Sequence, residues 1–153
     1  MFKNSLLYII LGSICFAGCQ LSGSKEQQAQ RNTPVSDTEA CFLHVEGASS
    51  QDSTLIHIIL QGDRVRGSMA WLPAEKDARR GTIKGTKHQD TLELAWVYMQ
   101  EGSKDSLSTR FLWQGDTLKQ QELAVDSQTG QQYTPESGNF SLIYQRITCE
   151  PES

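Results

Sequence analysis

The chain has 153 residues and a formal net charge of −4, with 37% hydrophobic and 21% charged side chains. This length allows one small domain with its own hydrophobic core. The slightly acidic balance, without a basic stripe interleaved with aromatic residues, argues against nucleic acid as a partner.

The first residues have the pattern of a bacterial export signal. Lys3 supplies a positive charge, and residues 6–16 are mostly apolar but too few for a membrane-spanning helix, which needs about 20 residues. Residues 16–19 (Phe-Ala-Gly-Cys) resemble the lipobox of bacterial lipoproteins, with phenylalanine where leucine is usual. The resemblance implies that residues 1–18 are a signal helix removed on export, and that Cys19 carries lipid and anchors the chain to a membrane.

An ordinary secreted protein with a chance cysteine is the alternative to this lipid anchor. Cys15 is a poorer lipid site, because Ile14 before it is not small. Gln20, which follows the lipidated cysteine, is not an acidic retention signal. We therefore expect a cell-envelope protein anchored in the outer membrane, facing the periplasm or the cell surface.

Two cysteines lie at the ends of the predicted folded domain, residues 41–150. Residues 19–40 before it are polar and are predicted to form the lipidated N-terminus and a flexible, disordered linker. In an oxidising compartment Cys41 and Cys149 are expected to form a disulfide bond. A zinc site is not expected, because these cysteines have no ligand residue close to them in sequence.

The folded domain shows the alternating hydrophobicity of β-strands and no helical periodicity. Residues 91–100 show it best, because Leu92, Leu94, Trp96 and Tyr98 fall on one face. The pattern predicts strands at residues 41–47, 54–61, 64–72, 81–87, 91–100, 107–113, 117–124 and 138–148.

Three short polar turns recur at nearly equal spacing, near residues 62–63, 88–90 and 114–116. Such turns between apolar alternations indicate antiparallel hairpins. We therefore predict an all-β fold, a single antiparallel up-and-down meander barrel of about eight strands. The three turns and both cysteines would lie at one end, and longer loops near residues 48–53, 73–80, 101–106 and 125–137 at the other.

Short motifs shared with one protein family are spread over most of residues 41–149. They are the terminal cysteines, Glu75-Lys76-Asp77, Gly81-Thr82-Ile83-Lys84-Gly85, Asp90-Thr91-Leu92 and Glu101-Gly102. In these features the chain resembles small bacterial lipoproteins that have a lipocalin-like barrel and no assigned activity. The Gly-x-Trp motif of true lipocalins is missing near the first strand, so the resemblance does not imply lipocalin function. Lysozyme-inhibitor lipoproteins are similar in size, anchor and disulfide, but their inhibitory loop motifs are not evident here.

The candidate binding residues are charged and belong to the predicted long-loop end. Arginine side chains there could hold a carboxylate or phosphate in a bidentate manner. A solvated loop with weak surface ion pairs is the simpler alternative. The candidates are Glu75, Lys76, Asp77, Arg79, Arg80, Glu101 and Lys104.

Other chemistry has little support in the sequence. Five aromatic residues of the strands could line a ligand cavity or fill the barrel, namely Trp71, Trp96, Tyr98, Phe111 and Trp113. His44, His57 and His88 show no metal-ligand spacing, and no serine lies in a nucleophile elbow. We predict no catalytic residue, no metal and no cofactor.

The leading functional prediction is a non-enzymatic binding module, displayed on the membrane by its lipid and using the long-loop end. Its partner would be a small molecule, a glycan or another envelope protein. A protein inhibitor of an envelope-targeting hydrolase such as lysozyme is the first alternative. An enzyme of unknown reaction, using a carboxylate pair such as Glu75 and Glu101, is the second.

Overall fold

The structure is a computed structural model that describes residues 37–150. The predicted signal helix, the lipidated Cys19 and the linker as far as residue 36 lie outside the described residues. In the described range, no helix is long and apolar enough to cross a membrane.

The described residues form an all-β structure, as predicted. All eight predicted strands are present, and a short pair, β8 and β9, was not predicted. The first strand begins three residues earlier than expected. The strands are β1 (Thr38–Glu46), β2 (Asp52–Gln61), β3 (Arg64–Leu72), β4 (Arg79–His88), β5 (Thr91–Gln100), β6 (Ser103–Gln114), β7 (Thr117–Gln121), β8 (Ala124–Val125), β9 (Gln132–Tyr133) and β10 (Phe140–Ile147).

Eight of these strands form a closed antiparallel barrel in the order β1-β10-β7-β6-β5-β4-β3-β2. Each strand pairs with the barrel strand before it in sequence, and the last strand returns to the first. That closing seam joins Cys41 to Ile147 and Leu43 to Gln145 as cross-strand partners. The predicted meander barrel is therefore confirmed, and closure pairs the first strand with the last over part of their length.

The connections differ between the two ends of the barrel. One end, the turn end, has two-residue turns at 62–63, 89–90 and 115–116, each with a positive φ at its first residue. The other, the loop end, has longer connections at 47–51, 73–78 and 122–139. The prediction of a longer loop at 101–106 is wrong. Glu101 and Gly102 form a two-residue turn with φ values of 50° and 77°, typical of a type I′ hairpin.

The barrel interior is filled by alternate side chains of its strands. The four β5 residues predicted to share a face, Leu92, Leu94, Trp96 and Tyr98, are all buried, so that face points into the barrel. The indole N–H of Trp96 donates a hydrogen bond to the backbone carbonyl of Met69 at 3.1 Å. The other large core side chains are Phe42, Ile56, Ile58, Ile83, Phe111, Leu118 and Tyr144.

β4 carries glycines where its neighbour approaches closely. A Cβ atom on Gly81 would lie 1.9 Å from the carbonyl oxygen of Val97 on β5. We expect Gly81→Ala to lower the free energy of unfolding by about 3 kcal/mol, because the backbones of two strands must separate. Urea denaturation checks this, with the exposed neighbour Thr82→Ala as the control. A loss no larger than that of the control would contradict this packing.

The long 122–139 connection covers an edge that the short β7 leaves open. The side chain of Gln121 donates to the carbonyl oxygen of Pro135 at 2.9 Å, and Thr134 donates to the carbonyl oxygen of Ser108 on β6 at 2.6 Å. Arg110 donates to the carbonyl oxygen of Glu136 at 3.1 Å. This connection is therefore attached to the outside of the barrel along β6.

The predicted disulfide bond is confirmed. Cys41 on β1 and Cys149, just after β10, are bonded, with their Cα atoms 5.2 Å apart. The bond reinforces the seam at which the barrel closes.

Candidate functional site

The predicted site residues share the loop end but do not form one cluster. The 73–78 connection holds Glu75, Lys76 and Asp77, and all three are exposed. Glu101 lies in the turn after β5, and Lys104 is paired with Met99 at the start of β6.

The two arginines of the predicted set point in different directions. Successive residues of a strand face opposite sides of a sheet. Arg79 shares the inward face of its partner Trp71, whereas Arg80 pairs with the exposed Met99. One anion at the barrel mouth can therefore meet Arg79 but not both guanidinium groups.

Arg79 lies between two aromatic rings at the mouth of the barrel. Its guanidinium carbon is 5.2 Å from the ring centroid of Trp71 and 5.2 Å from that of Tyr98. A guanidinium at this distance is attracted by the negative face of each ring. The two rings hold the cation in a partly buried position.

Two glutamine side chains orient the same guanidinium. Nε of Arg79 donates to Oε1 of Gln100 at 2.7 Å, and Nη1 donates to Oε1 of Gln132 at 3.0 Å. Gln132 belongs to β9, so the 122–139 connection contributes to the mouth. Neutral amide oxygens fix the orientation of the guanidinium without cancelling its charge.

The charge of Arg79 has no carboxylate partner within 4.0 Å among residues 37–150. A guanidinium carries five N–H donors, and the two glutamines accept from two of them. The remaining donors and the positive charge are not used by any of these contacts and are chemically suited to an anionic group.

Arg79 belongs to a row of cross-strand neighbours that lies across β1 to β4 at the loop end. His44 pairs with Thr54, Thr54 with Trp71, and Trp71 with Arg79. Nδ1 of His44 lies 2.7 Å from the carbonyl oxygen of Ile143, while its Nε2 is buried without a hydrogen-bond partner. The mouth therefore combines a cation, an aromatic surface and polar groups.

A second polar contact lies inside the barrel, where the ring of Tyr144 is 5.3 Å from that of His44. The phenol of Tyr144 donates to Oε1 of Gln120 at 2.6 Å, and both side chains are buried. Burial raises the pKa of Tyr144 well above its ordinary value. This bond satisfies two polar groups that would otherwise be costly to bury.

The pKa of Tyr98 is raised, chiefly by burial. The positive charge of Arg79 acts against this rise, while Asp105, which accepts a hydrogen bond from the phenol at 3.3 Å, adds to it. The ionisation of Tyr98 therefore reports on the charges around the mouth.

Alkaline pH should destabilise the protein through Tyr98. The unfolded chain ionises tyrosine near pH 10, below the folded-state value. The contribution of protonated Tyr98 to the free energy of unfolding is therefore fully present below that pH. It is lost as the pH rises through the folded-state pKa of Tyr98. We expect Tyr98→Phe to lose less stability than the wild type across this range, measured by urea denaturation.

In ultraviolet titrations, Asp105→Asn should lower the Tyr98 pKa and Arg79→Gln should raise it. Shifts of the opposite sign would contradict this geometry.

Some of these residues were not identified by sequence reasoning. Trp71 and Tyr98 were identified as possible cavity residues, and Arg79 as an anion ligand, but separately. Their meeting depends on the pairing register of β3, β4 and β5, which alternation alone does not fix. No motif or pattern in the sequence indicated that Gln100 and Gln132 would bind the Arg79 side chain.

No model of a known protein family matches the chain, and no match was found among curated proteins or solved structures. The resemblance to small lipocalin-like lipoproteins therefore stays a prediction.

Proposed function

We propose that the protein is a lipid-anchored, non-enzymatic binding module of the bacterial envelope. It captures a ligand at the loop end of the barrel by holding an anionic group of that ligand against Arg79. The ligand would be a small molecule, a glycan or an envelope protein that carries a carboxylate or phosphate.

The observation that carries this proposal is the environment of Arg79. The guanidinium is partly buried between Trp71 and Tyr98 and held by two neutral glutamines. A cation that served structure alone would be expected to have an acidic partner, because unpaired charge away from water is costly. Keeping donors oriented but unneutralised is suited to binding an anion.

The aromatic rings beside Arg79 extend the recognition surface. Trp71 is partly exposed at the mouth, and flat apolar rings can stack on the face of a sugar or another ring. The exposed 73–78 connection lies next to Arg79 in sequence and carries Glu75, Lys76 and Asp77. Its charges would contact the outer part of a larger ligand.

The end of the barrel at which the first strand begins supports this use of the loop end. Thr38, the first residue of β1, pairs with Leu60 next to the 62–63 turn. A tether attached through the N-terminus therefore leaves from the turn end. A lipid at Cys19 would hold the turn end towards the membrane and present the mouth away from it.

Substituting the two neighbouring arginines separately tests the proposal. The whole barrel lies between Thr38 and Ile147, so a segment of residues 33–153 can be purified without the anchor. Its amide NMR spectrum would be followed during titration with inorganic phosphate, acetate and glucuronate, with galactose as the neutral control. We expect the resonances of Trp71, Arg79 and Tyr98 to respond to an anion.

Arg79→Gln should weaken this binding by about 10-fold to 100-fold, because charge-assisted hydrogen bonds contribute about 1.5–3 kcal/mol. Arg80→Gln removes the same charge from the outer face and should leave the affinity unchanged. Thermal melts of both variants check that the barrel is intact. Equal weakening by the two substitutions, or no response of the mouth to any anion, would contradict the proposal.

A further inference from the structure

The outer wall of the barrel places a histidine beside the disulfide bond. Cys41 pairs with Ile147 on one side and with His57 on the other, and His57 pairs in turn with Ser68. These side chains share the outward face of the sheet. The wall lies along β1 and β2, on the opposite side of the sheet from the inward-facing Arg79.

Three potential metal ligands meet at this place. The two sulfurs and a ring nitrogen of His57 all lie within 4.8 Å of one another. The sequence offered no indication of this, since His57 is 16 residues from Cys41 in the chain. His57 is therefore near the two cysteines in space although it is not near them in sequence.

A carboxylate holds the histidine in place. Nε2 of His57 lies 2.7 Å from Oε1 of Glu39, which is two residues before Cys41 on the same face of β1. A histidine that ligates zinc commonly has its other ring nitrogen hydrogen-bonded to a carboxylate, which orients the ring. At this wall Glu39 occupies Nε2 of His57, so Nδ1 is the ring nitrogen left to bind a metal.

The cluster is accessible from solvent. A surface groove of about 530 Å³ is lined by residues that include Cys41, His57, Ile147 and Glu150. Glu150 adds a second carboxylate to the same surface. Cys149 lines a second surface groove, so a small reductant and a metal ion can approach both cysteines from outside the barrel.

We infer that the disulfide masks a metal site, and that reduction lets Cys41, Cys149 and His57 bind a zinc ion. A dithiol reductant would supply two electrons and two protons to the S–S bond and close to its own disulfide. The zinc ion then displaces the two thiol protons and binds two thiolates and one imidazole. Water or a nearby carboxylate completes the tetrahedral set.

The backbone positions suit this change. In a tetrahedral zinc site with Zn–S bonds of about 2.3 Å, the sulfurs are about 3.8 Å apart. Cysteines whose Cα atoms are 5.2 Å apart can reach that separation by side-chain rotation. The metal would then join β1 to the segment after β10, as the disulfide does in the oxidised protein.

Cobalt(II) is the probe for this site, because thiolate ligands give it a characteristic ultraviolet charge-transfer band. The purified 33–153 segment would be reduced with a phosphine, which leaves as its oxide, then desalted without oxygen and titrated with cobalt(II). We expect a one-to-one complex with this band, displaced by zinc(II). The oxidised protein should give no such band.

His57→Ala should weaken cobalt binding at least 10-fold, and Glu39→Gln about 10-fold to 100-fold through loss of ring orientation. His88→Ala, which removes an exposed histidine on β4, is the matched control and should bind as the wild type does. Equal binding by His57→Ala and the wild type would overturn the inference, because two thiols alone would then account for the complex. The absence of a thiolate–cobalt band in the reduced wild type would also overturn it.

If reduction unfolds the chain, circular dichroism tests the metal site by following the recovery of the β-sheet spectrum. The metal should then restore the β-sheet spectrum in the wild type and not in His57→Ala. Failure of zinc to restore it in the wild type would count against the site. None of these measurements depends on Arg79, so the result is independent of anion binding at the mouth.

Discussion

Replacing both Cys41 and Cys149 with serine should lower the free energy of unfolding by about 4–5 kcal/mol. The bond joins residues 108 positions apart, so it restricts nearly the whole domain in the unfolded state. It also lies beside the seam where β1 and β10 share few paired residues. Urea denaturation of the 33–153 segment measures the loss.

A reductant provides the control for this prediction. Reducing the wild type without metal should produce the same loss as the double substitution, and the same reductant should not affect the serine variant. A loss below about 1 kcal/mol would mean that the bond restricts the unfolded chain little. The disulfide bond would then not be a main source of stability for the seam between β1 and β10.

Truncating a core aromatic side chain should have a comparable effect. Phe111 is completely buried, and its ring lies 6.0 Å from that of Tyr144 across the barrel interior. We expect Phe111→Ala to cost about 3–5 kcal/mol, because the closed sheet cannot collapse around the cavity that it leaves. Differential scanning calorimetry would show the loss as a lower melting temperature.

Leu55→Ala is the matched control for this cavity. Leu55 lies on the outer face of β2 and is 40% exposed, so its truncation should cost much less than that of Phe111. Equal losses from the two variants would indicate that the interior of the barrel is no better packed than its outer wall. The assignment of inward and outward faces would then fail.

Much of the fold follows from local patterns. Alternation at Leu92, Leu94, Trp96 and Tyr98 identifies a strand and its inward face, because side chains in a strand alternate between two sides. The recurring polar turns identify the hairpins, since their positive φ values suit the twist of antiparallel strands. Two cysteines at the ends of the domain then have one way to meet, which is closure of the barrel.

The details at the loop end could not be predicted in the same way. Residues 101–106 contain charged and small residues that are typical of a loop, yet Ser103 onwards pairs with β5 because hydrogen bonds to a neighbouring strand outweigh local preference. The β8–β9 hairpin has only two residues in each strand, too few for a pattern. Its position determines where Gln132 meets Arg79.

The candidate sites were the least predictable part of the molecule. Arg79 and Arg80 are adjacent in sequence, but strand alternation separates their side chains once β4 is seen to begin at Arg79. His57 approaches the disulfide through pairing of β1 with β2, which sequence spacing does not reveal. Both sites are produced by register between strands rather than by a contiguous motif.

Nuclear Overhauser effects across the closing seam test the barrel most directly, because the mouth, the tether direction and the metal site all require the last strand to return to the first. In the isotope-labelled 33–153 segment, we predict backbone contacts between Phe42 and Arg146 and between Leu43 and Gln145. Strong contacts within the β1–β2 hairpin, together with none between β1 and β10, would show an open sheet and contradict the closed barrel.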